Sequence, residues 1–330
     1  MKIAIIGGGW LGCHIGLKLK ELNHTITLFE KSEIFSGSSF YNSNRLHRGF
    51  HYSRNKKTRE LCYNTFDLFL EDYKEIVEDV ENNHYAIPID NSLIDFGTFK
   101  TIFNYEKVPF TEIQSNYLTN IEGCVVVDEK YINPLKAKLY FSDKLSNNTI
   151  IKDITENDLE KLSIEYDYVI NTTNNHLNVI KDCYFELSIA LIYDKFPNSS
   201  FGSLTFVDGP LFSIYPYQFN SYNITDVEYT PLFVSNNIKD INKHRDNITQ
   251  LDVNAVKDKI ERKIKNYYTD FNSTFSYTGY YTAIKVKRKS VSADRYPVIQ
   301  KEGNIISCFT GKIQGIYILE KYIKNEIINR

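Results

Sequence analysis

The sequence predicts an α/β fold in which a parallel sheet is interleaved with a second, antiparallel sheet. Three observations lead to this prediction. A glycine-rich turn joins a strand to a helix within residues 1–30, short runs of alternating polarity fill residues 184–233, and a further strand and glycine turn occupy residues 305–315. Because the two glycine turns lie at opposite ends of the chain, we expect the two units to be interleaved rather than consecutive.

The first thirty residues follow the order strand, glycine turn, helix, strand and acid. Residues 3–6 form a short apolar run, which is typical of a strand buried on both faces. Leucine and isoleucine then recur at broadly helical spacing over residues 11–22, and a second apolar run over residues 25–29 ends at Glu30. Between the first strand and the helix stands Gly7-Gly8-Gly9-Trp10-Leu11-Gly12, which has the spacing Gly-x-Gly-x-x-Gly.

Each part of this motif has a physical task in dinucleotide binding. Gly7 permits the tight turn, Gly9 lets the backbone approach a pyrophosphate, and Gly12 lets the helix pack closely on the strand. The phosphates would then face the free amides of the helix N-terminus. Glu30 lies about 20 residues beyond Gly7, which is the spacing of an acid that hydrogen-bonds an adenosine ribose. The motif predicts a bound dinucleotide and leaves open whether it is FAD or NAD.

A segment rich in small and polar residues follows the second strand. It begins at Ser38-Ser39, continues through Arg45-Leu46-His47, and ends at Gly49-x-His51-Tyr52. The segment resembles the corresponding part of the D-amino-acid oxidase superfamily of FAD-dependent oxidoreductases. Locally it looks most like the FAD-dependent glycerol-3-phosphate dehydrogenases. The resemblance implies that this segment lies along the flavin and that FAD is the cofactor.

Two later regions are similar to landmarks of the same superfamily. Residues 125–128 and the following Ile132-Asn133-Pro134-Leu135 resemble the family's entry into a helix beneath the sheet. Residues 168–173 resemble a strand whose end passes near the dinucleotide in the family, which implies a contact from Thr172. Asn174 stands where the family usually has glycine.

The C-terminal region resembles the closing unit of the superfamily. Arg288, Asp294-Arg295-Tyr296-Pro297 and a predicted strand over residues 305–309 precede Thr310-Gly311-Lys312-Ile313-Gln314-Gly315. The resemblance implies that the final helix points its N-terminus at the flavin, where helix amides and the Lys312 cation would stabilise the negative charge of the reduced cofactor. The residues expected to contact FAD are Gly7, Gly9, Trp10, Leu11, Gly12, Glu30, Lys31, Ser38, Ser39, Arg45, Leu46, His47, Thr172, Gly311, Lys312, Ile313, Gln314 and Gly315.

The predicted architecture is a Rossmann-like FAD-binding domain interleaved with an antiparallel-sheet (α+β) substrate domain. Alternating runs separated by the turn Asp208-Gly209-Pro210 indicate the antiparallel sheet. The apolar stripe over residues 60–80 predicts an amphipathic helix that packs on the core. The expected FAD-binding parts are residues 1–85, 120–183 and 286–330, and the expected substrate-binding parts are residues 86–119 and 184–285.

Four residues are candidates for work on the substrate. Arg288 stands just before the closing unit and would grip a carboxylate, with the Tyr215 hydroxyl completing the clamp. His47 would act as base for an alcohol, whereas an amine can react in its neutral form. Lys312 would supply a cation beside the flavin. We therefore expect hydride transfer from a CH–NH bond of a small amino acid or amine. The alternatives are a CH–OH bond of a 2-hydroxy acid, polyol phosphate or sugar derivative, and a non-catalytic FAD-binding sensor or scaffold.

Composition narrows the range of partners. The 330 residues include 39 basic and 41 acidic side chains, and the net charge of −2 does not favour nucleic acid as a partner. The chain has no apolar run of about 18 residues and no secretory pattern, so we expect no membrane span and a cytoplasmic location. Scattered cysteines and histidines predict reduced thiols and no metal site. The expected partners are a small-molecule substrate and an electron acceptor, either oxygen or an unknown carrier.

Overall fold

The computed structural model describes residues 1–289 and 295–328, so Asp294 of the expected closing unit lies outside the described residues. The strands are β1 Lys2–Ile6, β2 Thr25–Glu30, β3 Arg45–Leu46, β4 Val77–Asp79, β5 Asn83–Pro88, β6 Phe110–Ile113, β7 Ile121–Val127, β8 Lys130–Ile132, β9 Thr149–Ile151, β10 Tyr168–Asn171, β11 Cys183–Lys195, β12 Ser203–Phe206, β13 Phe212–Pro216, β14 Ser221–Asp226, β15 Pro231–Ser235, β16 Phe275–Arg288, β17 Val298–Glu302 and β18 Ile305–Phe309. The α-helices are α1 Trp10–Glu21, α2 Lys56–Tyr73, α3 Phe96–Tyr105, α4 Pro134–Leu145, α5 Glu156–Glu165, α6 Ile238–Asp246, α7 Gln250–Lys265, α8 Phe271–Thr274 and α9 Ile316–Ile328. Short 3₁₀ helices occupy Phe50–Tyr52, Lys74–Ile76, Ser146–Asn148 and Ile313–Gly315.

Within the described residues, a six-stranded sheet has the order β17-β18-β10-β1-β2-β9. All of its neighbours run parallel except β17, which pairs antiparallel with β18 at one edge. Ile3 and Ile5 face a core shared with α1, α4 and α9, whereas Ala4 and Ile6 face the core under α5. The carboxyl ends of the central strands therefore meet at one edge between two helical layers, and the predicted α/β class is confirmed.

The second sheet has nine strands in the part of the chain that is described. Its order is β15-β11-β14-β13-β12-β5-β7-β6, and β16 pairs with β11. Strands β11 and β16 pair antiparallel along their whole lengths, from Cys183 opposite Arg288 to Lys195 opposite Phe275. One face of the sheet packs on α7 through residues such as Val253. A small sheet, β3-β8-β4, carries Arg45 at its edge strand.

The helix predicted over residues 60–80 is shifted toward the N-terminus. Helix α2 begins earlier because the Asn55 side chain accepts a hydrogen bond from the Thr58 N–H and so caps it. It ends at Tyr73, and Val77 instead pairs with Ile132 in the small sheet. The apolar periodicity continued past the true end because strand β4 buries side chains next to the same core.

Three strands cross or lie outside the domain boundaries expected from the sequence. Strand β7 was expected with the FAD-binding parts, but it pairs with β5 and β6 in the second sheet. Strands β5 and β16 run through the expected boundaries at residues 85 and 285. The sheet to which each strand belongs is decided by hydrogen bonds to strands that are distant in sequence. The pattern of polar and apolar residues within one strand does not indicate these partners.

Two further structural observations concern the cysteines and the helices. All five cysteines are buried, and none forms a disulfide. Within residues 1–289 and 295–328 no helix is long and apolar enough to cross a membrane, and no group of three or more His, Cys, Asp or Glu side chains is placed to hold a metal ion.

Candidate active site

A large cavity lies between the carboxyl edge of the first sheet and one face of the second sheet. Its volume is about 1100 Å³. Gly7 and Thr172 line it from the ends of β1 and β10, while Ser213 and Ile284 line it from β13 and β16. The expected site residues that line it are Gly7, Gly9, Trp10, Leu11, Glu30, Lys31, Ser38, Ser39, Arg45, His47, Thr172, Gly311, Lys312 and Ile313.

The glycine turn forms one wall of the cavity and has almost no room for side chains. Gly7 has φ +102°, and a Cβ on Gly12 would lie 1.9 Å from the Gly7 carbonyl oxygen. A Cβ on Gly9 would lie 2.6 Å from Oγ of Ser39, whose hydroxyl accepts a hydrogen bond from the Trp10 N–H. Helix α1 begins here without a side-chain cap from Gly9 and without an acidic residue in its first turn. Its N-terminus is therefore suited to an anion.

Glu30 lies at the end of β2, beside the glycine turn. Its Oε2 accepts a hydrogen bond from the Gly8 N–H at 2.6 Å, and its Oε1 accepts one from the Ser32 N–H at 3.1 Å. These bonds fix the carboxylate, and each oxygen keeps a lone pair for another donor. Since Glu30 also lines the cavity, the carboxylate can receive the hydroxyl groups of a ribose.

These residues fit the expected dinucleotide. The cavity is large, its glycine wall lets a ligand approach the main chain, and the start of helix α1 and the Glu30 carboxylate stand side by side. A pyrophosphate against α1 and a ribose on Glu30 match this pair of groups in charge and in hydrogen-bonding capacity.

The inner part of the cavity contains a buried arginine. Arg45 is 4% exposed and lines the cavity. Its Nη1 donates to the hydroxyls of Tyr85 at 2.9 Å and Thr205 at 2.8 Å, and its Nη2 donates to the Ser213 hydroxyl at 2.6 Å. All of these acceptors are neutral, and Nε has no partner among the described residues. In residues 1–289 and 295–328, therefore, no carboxylate is bonded directly to the guanidinium.

Glu129 is the acid that balances this buried charge. It is 1% exposed, and its Oε2 accepts a hydrogen bond from the Tyr85 hydroxyl at 2.6 Å. Its Oε1 accepts one from the Arg48 N–H at 2.8 Å. Burial by itself would raise the pKa of the Glu129 carboxyl, but His47, Arg45 and the Tyr85 hydroxyl outweigh burial and the net shift is downward.

Two histidines lie beside this network. The ring centroids of His47 and His51 are 5.8 Å apart, and both residues line the cavity. Burial lowers the pKa of His47 to about 4, against a raising effect of Glu129, and burial also lowers the pKa of His51 well below its ordinary value. Both imidazoles are therefore neutral near pH 7 and able to accept a proton.

Lys312 brings a second cationic group to the inner cavity. It is half-buried, and its Nζ lies 4.6 Å from the centroid of the Tyr52 ring. Burial, followed by the charge of Arg45, lowers the pKa of Lys312 to about 7. Lys312 can therefore exchange between ammonium and amine close to neutral pH.

Several expected site residues lie elsewhere. Arg288 is exposed at the end of β16 and does not line the cavity, because the terminal pairing with Cys183 holds it at the end of the sheet. Tyr215 is 1% exposed behind Arg45, with the arginine 3.8 Å from its ring centroid, and its hydroxyl donates to the Lys130 carbonyl oxygen. The expected FAD contacts Gly12, Leu46, Gln314 and Gly315 are not among the lining residues.

Two of the expected contacts that do not line the cavity support it from the core. Leu46 is fully buried in the core of the first sheet, and Gln314 bonds the main chain of His47. Trp10 lines the cavity, yet its ring packs on Phe35 and Phe141 with centroids 5.0 and 5.2 Å away. Its place in the motif thus reflects packing of the helix start more than ligand contact by the indole.

Sequence reasoning did not identify the network around Arg45. Tyr85, Glu129, Thr205 and Ser213 come from β5, the β7–β8 connection, β12 and β13. They meet only because the second sheet and the small sheet assemble against each other, so no local spacing could indicate them. The only signal was Arg45 itself, which the family resemblance placed beside the cofactor.

Comparison with known proteins agrees with this geometry. The family model described as FAD dependent oxidoreductase matches residues 2–91. The FAD-dependent monooxygenase FPY4 of Fusarium mangiferae is 32% identical over 334 residues, covering 98% of this chain and 90% of that protein. The FAD-dependent monooxygenase kojA of Aspergillus flavus is 27% identical, covering 96% of this chain and 83% of that protein.

The fold is shared with solved structures as well. Glycine oxidase from Bacillus cereus superposes with a TM-score of 0.67 at 14% identity, covering 98% of this chain and 95% of that chain. The near full-length relationship to FPY4, the family match at the glycine turn and the fitted cavity all agree. The chain therefore belongs to the D-amino-acid oxidase family of FAD-dependent oxidoreductases, and its cofactor is FAD.

Proposed function

We propose that the enzyme oxidises the CH–NH bond of a small amino acid or amine that carries an anionic group. The observation that carries this proposal is the guanidinium of Arg45, which lines the cavity and, among the described residues, is hydrogen-bonded only to neutral hydroxyls. Glu129 offsets the charge of this arginine across the Tyr85 hydroxyl and not by a direct bond, and the Arg45 Nε–H has no partner among the described residues, so the guanidinium keeps hydrogen-bonding capacity for an anionic ligand. Lys312 adds to the positive potential at the same end of the cavity.

The side chains have distinct tasks in this reaction. Arg45 orients the substrate through its anionic group, and its three hydroxyl partners keep the guanidinium from moving. His47 accepts the proton that the substrate ammonium must lose before oxidation. FAD, when bound, supplies a ring system that accepts the hydride.

Oxidation of a CH–OH bond is the second candidate, and it rests on the two neutral histidines. A hydroxyl group needs a base near neutral pH, and both His47 and His51 face the cavity with unprotonated rings. A 2-hydroxy acid or a polyol phosphate would meet the same positive potential as an amino acid. The two candidate substrate classes therefore share an anionic group and differ in the bond that is oxidised, which is CH–NH in one class and CH–OH in the other.

The names of the fungal relatives raise a third possibility, since both are called monooxygenases. A monooxygenase needs reducing equivalents from a separate donor before it reacts with oxygen, whereas an oxidase or dehydrogenase is reduced by its own substrate. The shared fold with a protein called glycine oxidase supports the second scheme for this chain.

Anaerobic reduction distinguishes these schemes. The FAD-loaded protein is mixed with amino acids, amines, 2-hydroxy acids and glycerol 3-phosphate, each with and without NADH or NADPH, and the visible flavin absorption is followed. Bleaching by an amino acid alone supports the proposal, and bleaching by a hydroxy acid or glycerol 3-phosphate alone supports the second candidate. Bleaching only with the nicotinamide donor contradicts both, and no bleaching under any condition supports a sensor. Oxygen uptake by the reduced protein then tests whether oxygen is the acceptor.

A further inference from the structure

The imidazole of His47 has one ring nitrogen turned toward Glu129. Its Nδ1 lies 3.5 Å from Oε2 of Glu129, which is an electrostatic contact rather than a formed hydrogen bond. No hydrogen-bond partner for Nδ1 is found in the described part of the chain. An ionised carboxylate can only accept hydrogen bonds, so a proton on Nδ1 is attracted to Oε2, whereas a lone pair there is repelled.

We propose that Glu129 is a positioning residue that holds His47 in the Nδ1–H tautomer and so leaves Nε2 as the unprotonated nitrogen available in the cavity. The role of His47 as proton acceptor rests on the proposed function. The tautomer itself does not, because it follows from the contact between the two side chains.

The surroundings of Glu129 keep its carboxylate in this orientation. The Tyr85 hydroxyl donates to Oε2, and the Arg48 N–H donates to Oε1, so rotation about the last side-chain bond would break both hydrogen bonds. Tyr85 is fully buried and accepts a hydrogen bond from Arg45 in turn. The carboxylate is consequently fixed by groups from two separate parts of the chain, strand β5 and the segment that follows β3.

The main chain of His47 is held as firmly as the acid. Gln314 accepts a hydrogen bond from the His47 N–H at 3.3 Å and donates one to the His47 carbonyl oxygen at 2.8 Å. With the backbone fixed on one side and the acid fixed on the other, the separation of Nδ1 and Oε2 is set by the fold.

Other charges around His47 have the opposite sign. The ionisable groups that act on it are Glu129, Arg45, Lys312 and His51. Arg45 and Lys312 lower the proton affinity of the ring, and Glu129 alone among these groups raises it. Burial, with these cations in support, therefore keeps the ring neutral, and the acid decides which nitrogen carries the single proton.

The tautomer determines which nitrogen of His47 accepts the substrate proton. In the Nδ1–H tautomer, the Nε2 lone pair takes the proton from the substrate ammonium or hydroxyl, and the imidazolium then formed has its Nδ1–H toward Glu129. The negative charge of Glu129 stabilises that imidazolium at the moment when it forms. In the opposite tautomer Nε2 would already carry a proton and could not accept one.

Nitrogen-15 NMR of histidine-labelled, FAD-loaded protein tests the tautomer directly at pH 7. Pyrrole-type and pyridine-type ring nitrogens have well-separated shifts, and the His47→Gln spectrum identifies the His47 signals among the seven histidines. We expect the Nδ1–H form to be preferred about tenfold or more in the wild type, and we expect this preference to be lost in Glu129→Gln. Glu106→Gln is the matched control, because Glu106 pairs with Arg59 and does not line the cavity.

The outcomes separate this inference from the proposed function. An Nε2–H tautomer in the wild type would overturn the inference. This outcome requires no variant, so the test is decisive even if Glu129→Gln does not fold. An unchanged tautomer in a folded Glu129→Gln protein would overturn it as well. If the Nδ1–H form is present but His47→Gln is bleached by substrate as fast as the wild type, the tautomer stands and the assignment of His47 as base fails.

Discussion

The side chain of Gln314 forms hydrogen bonds with both the N–H and the carbonyl oxygen of His47. Its side-chain oxygen accepts from the His47 N–H, and its side-chain nitrogen donates to the carbonyl oxygens of His47 and Cys62, each at 2.8 Å. Gln314 is fully buried. The closing segment of the chain is thereby tied to the segment that carries His47, although the two are separated by 267 residues.

Replacing Gln314 with leucine should destabilise the protein. The change removes the Gln314 hydrogen bonds of the His47 N–H and carbonyl groups, together with the second hydrogen bond of the Cys62 carbonyl oxygen, and we expect the free energy of unfolding to fall by about 3 kcal/mol. Denaturant unfolding of the FAD-loaded protein measures this loss. Gln250→Leu serves as the control because Gln250 is exposed and bonds the Asn254 side chain rather than buried main-chain groups. Equal stability of both variants would show that the Gln314 contacts are not formed.

Replacing Gly9 with alanine should weaken FAD binding. The new Cβ would lie 2.6 Å from Oγ of Ser39, so either the serine or the glycine turn must shift at the wall of the cavity. We expect at least a tenfold higher dissociation constant for FAD, measured by fluorescence titration of the apoprotein. Gly279→Ala is the matched control, since a Cβ there meets nothing within 4 Å and Gly279 does not line the cavity. FAD binding as tight in Gly9→Ala as in Gly279→Ala would contradict the assignment.

The glycine turn could be predicted because its information is local. Strand, turn, helix and acid lie within thirty residues, and each residue's task follows from its own conformation or from a near neighbour. Strand β18 was likewise predicted with its observed bounds, Ile305–Phe309, because an apolar run followed by glycine is a local pattern. The family resemblance extended this to FAD, which the comparisons confirm.

The substrate end could not be predicted in the same way. Arg288 was chosen for its position along the chain, but strand pairing puts it at the exposed end of β16, while Arg45 supplies the buried guanidinium. Glu129 had no distinguishing neighbours in sequence. Strand pairing within the second sheet decides the position of Arg288, and packing of the small sheet against the second sheet brings Glu129 to the site. Both join residues that no periodicity connects.

His47 should make the protein less stable in weak acid. Its pKa is lowered to about 4 in the folded state, against about 6.5 in the unfolded chain, so the unfolded state binds more protons between these values. The free energy of unfolding should therefore fall as the pH falls from about 6.5 to about 4, with a contribution from His47 on the order of 3 kcal/mol.

Unfolding measured at several pH values checks this linkage. His47→Gln should show a shallower loss of stability over the same range, and the exposed His244→Gln should follow the wild type. A His47→Gln protein with the full wild-type slope would mean that the ring is not held neutral by burial.

Lys312 should influence the reduction potential of bound FAD. The ammonium form stabilises negative charge near it, and its pKa of about 7 means that this form is lost as the pH rises through neutrality. We expect Lys312→Met to have a more negative midpoint potential than the wild type at pH 6, and we expect the difference to shrink by pH 8.5. Spectroelectrochemical titration at both pH values measures it. A difference that is the same at both pH values would contradict a titrating Lys312.

The central claim is that Arg45 recognises the anionic group of the substrate, and a coupling experiment tests it most directly. The compound that bleaches the flavin and its analogue without the anionic group are titrated into FAD-loaded wild type, Arg45→Met and the control Arg48→Met, whose arginine does not line the cavity. We predict that loss of the anionic group weakens binding about 10- to 100-fold in the wild type and in Arg48→Met, and by little in Arg45→Met. The same loss in all three proteins would contradict the account.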